Sequence, residues 1–124
     1  MTFTVVIADD DTDIRSLVTI AIGKAHLKMI ASVGDGAAAL AAIRELRPDL
    51  AILDVAMPEM SGLDVCRAVR ADPGMSDLRI LLLSASVDQE SQQIGLDAGA
   101  DYFLAKPFSP RQLTTWLAVG KEPR

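Results

Sequence analysis

Thr4–Asp11 reads TVVIADDD, a strand-length run of mostly apolar residues that goes straight into three consecutive aspartates. A run this short, rich in Val and Ile and lacking period-two alternation, fits a central strand covered on both faces. The pattern recurs twice: Leu50–Leu53 (LAIL) stops at Asp54, and Leu78–Leu83 (LRILLL) stops at Ser84. Two further segments are weaker. Lys28–Val33 (KMIASV) is half polar and Tyr102–Leu104 is very short, so both read as edge strands.

Helical patterns lie between these runs. Ile14, Leu17, Val18, Ala21, Ile22 and Ala25 form one apolar stripe at helical spacing. Ala37–Leu46 is alanine-rich, opened by Gly34-Asp35-Gly36 and stopped by Pro48. Gly62, Val65, Cys66 and Val69 give a third stripe, with Ser61 as its cap. Asp88–Ala98 is a poor amphipath bounded by Ser86 and Gly99. Ser109-Pro110 is a cap followed by proline at the first helical position, ahead of Leu113, Trp116 and Leu117. The chain is therefore βα repeated five times, an α/β fold. Such (βα)5 alternation implies a doubly wound, five-stranded parallel sheet with right-handed crossovers and helices on both faces. Periodicity leaves the strand order open.

Composition narrows the function. The chain has 124 residues, in the size range of one domain, ~100–200 residues, and is read as a single domain over 1–124. Half the residues are apolar and 23% are charged, as in globular rather than disordered proteins. Twelve basic against seventeen acidic side chains leave a net charge of −5, which argues against the domain itself gripping nucleic acid. A single cysteine, Cys66, builds neither a disulfide framework nor a thiolate metal site. No apolar stretch approaches the ~18 residues of a membrane span, and Met1–Thr4 lacks the basic region of a signal peptide. A cytoplasmic location is the expectation.

Ligand sites in open α/β sheets form beyond the carboxyl ends of the strands. Strand 1 ends at Asp9-Asp10-Asp11, strand 3 at Asp54, strand 4 at Ser84, and strand 5 runs towards Lys106. Each has a bland reading: Asp caps helices, Ser favours turns and Lys is usually solvated. Their coincidence at one edge outweighs those readings taken singly. Crowded carboxylates repel and need a shared proton or a cation. Oxygen donors alone favour a hard ion, Mg2+ or Mn2+, which readily accepts a phosphate oxygen. A carboxylate can attack phosphorus to give an acyl phosphate, with lysine and hydroxyl stabilising the transferred group. That chemistry is phosphoryl transfer onto aspartate.

VVIADDDTDIRSL (Val5–Leu17), DVAMPEMSG (Asp54–Gly62), LLLSAS (Leu81–Ser86) and GADYFLAKPFSPRQL (Gly99–Leu113) together resemble the receiver domain of two-component response regulators, in the manner of the chemotaxis receiver. The resemblance covers essentially the whole chain and implies a flavodoxin-like strand order, 2-1-3-4-5. It further implies that Asp54 is the phospho-acceptor and also a metal ligand, and that Asp10 binds metal directly, with Asp9 acting through water. The Ala56 main-chain carbonyl would be a further metal ligand, Ser84 the switch hydroxyl, and Lys106 the partner of the acceptor, aimed by a cis Lys106–Pro107 bond. Phe103 falls at the aromatic switch position. On phosphorylation Ser84 would be drawn towards Asp54, Phe103 would fill the vacated space, and the face of helix 4, strand 5 and helix 5 would change. The domain would then be regulatory rather than an enzyme on other substrates, catalysing only its own phosphorylation and dephosphorylation. Implied partners are a histidine kinase or histidine phosphotransfer protein, and a downstream target or a missing output domain. A phosphorylation-dependent dimer also belongs to that set; nucleic acid and membrane do not.

Three positions depart from the common pattern. Asp11 offers a rival ligand, Phe103 lacks the hydroxyl of the more usual tyrosine, and Ala56 is small, which bears on the lifetime of the acyl phosphate. Two other classes share parts of the reading. A flavodoxin-like cofactor binder would have its phosphate repelled by Asp9-Asp10-Asp11. A haloacid-dehalogenase-type phosphatase matches through a D-x-D start, but Asp13 stands where Val or Thr is expected and a short chain has no cap. A pseudo-receiver is disfavoured by the intact acidic set. His26 is read as a helix-terminal residue, Cys66 as core and Trp116 as the core edge of helix 5.

Overall fold

Every residue of Leu50–Asp54 (β3) is buried, because the strand is flanked on both edges and covered on both faces. Its neighbours are Thr4–Ala8 (β1) and Arg79–Ser84 (β4); Lys28–Val33 (β2) and Tyr102–Ala105 (β5) form the edges. All pairings are parallel, and the order is β2-β1-β3-β4-β5. The computed structural model describes residues 3–86 and 88–120. The half-polar and the very short segments are the two edge strands, as their composition implies.

Successive strand residues point to opposite faces, and here each face meets helices. Val5, Ile7, Leu50, Ile52, Leu81 and Leu83 pack with Thr12–Lys24 (α1) and Pro110–Gly120 (α5). Val6, Ala8, Ala51, Leu53, Ile80 and Leu82 pack with Gly36–Leu46 (α2) and Gly62–Arg70 (α3). Each fully buried Val, Leu or Ile side chain is worth roughly 1.5–3 kcal/mol, so the central strands form the rigid base of the rim where they end. Gln89–Asp97 (α4) is held more lightly, with Gly95 its one buried residue among those described.

Helix starts follow from short polar side chains. Asp11 caps α1, accepting from the amides of Asp13 at 2.9 Å and Ile14 at 3.4 Å. Asp35 caps α2 and Ser61 caps α3. Ser109 and Gln112 exchange bonds at the start of α5, with Pro110 next to the cap. Some boundaries differ from the sequence reading. The segment read as Asp88–Ala98 is bounded by its own end residues, Asp88 as N-cap and Ala98 as C-cap, one or two positions inside Ser86 and Gly99. β4 begins at Arg79, whose amide bonds Asp49, whereas Leu78 closes a turn onto Met75. The strands also run one residue further, to Asp54, Ser84 and Ala105, so two of the polar residues are themselves strand residues.

Candidate functional site

Parallel register brings the strand ends to one edge. Asp54 pairs with Leu83, and Ser84 with Ala105. The Asp9 amide bonds the Val33 carbonyl at 3.1 Å, and the Lys106 amide bonds the Ser84 carbonyl at 2.8 Å, which carries the ladder one step into the loops. Asp9, Asp10 and Asp54 thereby each present an oxygen within 4.8 Å of the others. Lys106, whose peptide bond to Pro107 is cis, joins the cluster from the end of β5. Its Nζ lies 3.0 Å from Asp54 Oδ1 and 2.8 Å from Asp9 Oδ2.

The electrostatics of this cluster are set by burial. Asp9 is fully buried and Asp54 nearly so, while Asp10 faces solvent. Burial pushes the Asp54 carboxyl above the ordinary range; Lys106 pulls it down, Asp9 pushes it up, and the Ala56 amide pulls it down. For Lys106, burial alone would lower the amine, but Asp9 and Asp54 together outweigh it and hold the amine above the usual lysine value. A carboxylate whose charged form is disfavoured gains more than an ordinary one from an added cation.

One oxygen bears on whether a cation would fit this cluster. Nζ approaches Asp9 Oδ2 off the hydrogen-bond line, so this buried atom has a charge contact but no aligned donor. Buried polar atoms are seldom left so. An all-oxygen set that includes this atom suits a hard divalent ion. Asp11 does not join the set, because both its amide bonds belong to the α1 cap. The second carboxylate of a D-x-D phosphatase pattern is therefore turned away. Ala56 is exposed at the mouth, two residues beyond Asp54.

Ser84 is buried beside Lys106, and its Oγ accepts from the Ser86 amide at 3.1 Å. Phe103 faces α4, where a Cβ on Gly95 would lie 3.1 Å from the ring. Val55, Leu63, Ser84, Ser86, Ser91, Ile94 and Phe103 line a partly open cavity of about 150 Å3. Gly62, at the start of α3, leaves space for the carbonyl of Asp54, to which a Cβ would come within 2.2 Å. Two groups escaped the sequence reading. Arg15 Nη1 donates to the main-chain carbonyl of Asp9 at 3.3 Å. The Ser86 amide holds the Ser84 hydroxyl. Neither contact leaves a spacing signal, since each depends on how a loop turns.

The remaining singled-out residues are structural. Cys66 is fully buried in the α3 core, where burial pushes its thiol up to about 11. His26 is exposed just past α1 with φ 61°, a left-handed residue following the helix. Trp116 packs against the α1–α5 core and meets Tyr102 edge-on, with ring centroids 4.8 Å apart. No helix among the described residues is long and apolar enough to cross a membrane.

Known proteins agree with this geometry. The chain is 42% identical over 109 residues to the DNA-binding response regulator MtrA of Mycobacterium tuberculosis, covering 88% of this chain and 46% of that protein. The chain spans about half the length of the curated relatives it matches. Among solved structures, the chemotaxis response regulator CheY4 of Vibrio cholerae superimposes with a TM-score of 0.90 at 32% identity, over 97% of this chain and 99% of that one. The signal receiver domain of NarL from Mycobacterium tuberculosis does so with a TM-score of 0.88 at 32% identity, over 98% of each chain. Residues 5–118 match the response regulator receiver domain family, and with the acidic cluster, the lysine and the strand order all in place, the chain belongs to that family.

Proposed function

We propose that this chain is a single receiver domain over 1–124 that works as a cytoplasmic switch, with Asp54 as its phospho-acceptor. The observation that carries the reading is Lys106 Nζ between Asp54 Oδ1 and Asp9 Oδ2, beside a carboxylate oxygen with no aligned donor. An Asp54 oxygen attacks the phosphorus of a phosphohistidine on a histidine kinase or phosphotransfer protein. The P–N bond breaks, its electron pair stays on the imidazole, and an acyl phosphate forms on Asp54. Asp10, Asp54 and the Ala56 carbonyl, with Asp9 acting through water, would hold Mg2+ or Mn2+, which supplies positive charge to the phosphoryl oxygens. Lys106, in contact with Asp54 and Asp9, would add a second positive charge. The Ser84 hydroxyl donates to a phosphoryl oxygen, and Phe103 follows it into the adjoining cavity.

Water reaches the phosphorus past the Ala56 methyl and returns inorganic phosphate and the Asp54 carboxylate. The domain thus limits its own signal and turns over no other substrate. The outcome is a changed α4–β5–α5 face, read by a downstream target, by an output domain in a longer chain, or by a second copy. Nucleic acid is not contacted by this domain itself.

Asp54→Asn tests the assignment, since it keeps shape and removes the nucleophile. With Mg2+ and a small phosphodonor such as acetyl phosphate, intact mass should show one added phosphoryl group on the wild type and none on the variant. Full phosphorylation of the Asn variant overturns the reading.

A further inference from the structure

The two ends of α4 are held by different means. Beyond its last turn the Gly99 carbonyl accepts from Arg70 Nε at 2.8 Å, and Arg70 also pairs with Asp101 at 2.8 Å. Its first turn instead hangs on a line of hydroxyls. Ser84 Oγ accepts from the Ser86 amide at 3.1 Å, and Ser86 Oγ donates to Asp88 Oδ2 at 2.8 Å. Ser86 Oγ also lies 3.0 Å from Ser91 Oγ, and Asp88 Oδ1 accepts from the Ser91 amide at 2.7 Å. These bonds, the Ser91 amide foremost, hold the Asp88 carboxyl below the usual range. Polar contacts therefore run without a gap from the buried hydroxyl of β4 to the cap of α4.

We propose that Ser86 is a positioning residue whose amide follows the Ser84 hydroxyl and whose own hydroxyl passes that position to Asp88, setting the first turn of α4. The proposal rests on the reading of Asp54 as acceptor. A serine hydroxyl has one proton to donate. Turning it towards a new acceptor on Asp54 swings its lone pairs away from the Ser86 amide. Ser86 then either follows or loses its acceptor, and both outcomes disturb its contact with the cap. With Gly95 its only buried residue among those described, α4 resists weakly. The Arg70 anchor meanwhile keeps its other end in place, so the helix pivots rather than slides. Ser84, Ser86 and Ser91 all border the cavity beside Phe103, so the first turn has no tightly packed wall on that side.

Amide exchange at Ser91 and Gln92 tests this in two arms. In the resting protein, losing one hydrogen bond from the line should speed exchange about fivefold. Ser84→Ala and Ser86→Ala should each do so, and the double variant should exchange no faster than Ser86→Ala alone. Multiplying effects in the double variant overturn the proposal. In the second arm, beryllofluoride with Mg2+ stands in for the phosphoryl group. Ser86→Ala should bind it as wild type does yet lose at least half of the exchange response at Ser91, and Ser86→Thr should restore it. A full response in Ser86→Ala, or no rescue by Thr, overturns the proposal. Failure of wild type to bind beryllofluoride overturns the acceptor reading, whereas binding with no response at Ser91 overturns the signalling step alone; both results are separate from the resting arm.

Discussion

Asp10 and Asp11 carry the same side chain one position apart and do opposite things. Asp10 shares the cluster with Asp9 and Asp54, while Asp11 spends its carboxylate on the first amides of α1. A sequence of three aspartates offers both as ligands, because the turn after β1 decides which one faces the strand ends. The resemblance to receivers favoured Asp10, and the cap explains it physically. Asp10→Ala should therefore lower Mg2+ affinity at least tenfold. Asp11→Ala should leave that affinity within about twofold while destabilising the fold by about 1 kcal/mol through the lost cap. Calorimetric Mg2+ titration and urea unfolding of both variants check this, and reversed outcomes would exchange their roles. Asp9, Asp54, Ser84 and Lys106 were legible for a simpler reason: each follows or ends an apolar run, and parallel strands gather such ends. Ser86 and Arg15 were not, since their partners are main-chain groups placed by loop conformation.

At the scale of elements, strands buried on both faces announce themselves by unbroken apolar runs, whereas helix and strand limits depend on single bonds. The α4 cap illustrates the difference. Ser86 and Asp88 are both good capping residues, and only the bond from the Ser91 amide selects Asp88. Glycines at two helices give a contrasting pair of outcomes. At Gly62 a Cβ would come within 2.2 Å of the Asp54 carbonyl, a backbone atom with nowhere to go. At Gly95 it would meet Phe103 at 3.1 Å and Leu82 at 3.2 Å, and the Phe103 ring borders open space. Overpacking typically costs about 1–3 kcal/mol, against a helical gain of about 1 kcal/mol for Gly→Ala. Gly62→Ala should thus destabilise by at least about 1 kcal/mol and slow phosphorylation of Asp54. Gly95→Ala should stay within about 1 kcal/mol of wild type. Denaturant midpoints and phosphorylation rates of the pair decide it, and equal losses would show that the ring cannot yield.

In the whole molecule, the sheet divides the interior into two cores, one beneath α1 and α5 and one beneath α2 and α3. Ile22 belongs to the first and Ile43 to the second, and both are essentially inaccessible to solvent. Ile→Val in a core typically costs about 0.5–1.5 kcal/mol. Because the two residues share no partners, the losses in Ile22→Val and Ile43→Val should add to within about 0.5 kcal/mol in the double variant. A larger departure in urea unfolding would mean that packing strain crosses the strands.

That division also bears on heredity. A substitution in the interior beneath α1 and α5 removes no side-chain contact within the opposite core, so a change on one side calls for no matching change on the other. Asp9, Asp54, Ser84 and Lys106 all take their places from the spine common to both halves. Substitutions on the outer faces of the helices that spare Arg15 and Gly62, which touch the Asp9 and Asp54 carbonyls, can therefore alter surface shape while this cluster keeps its geometry.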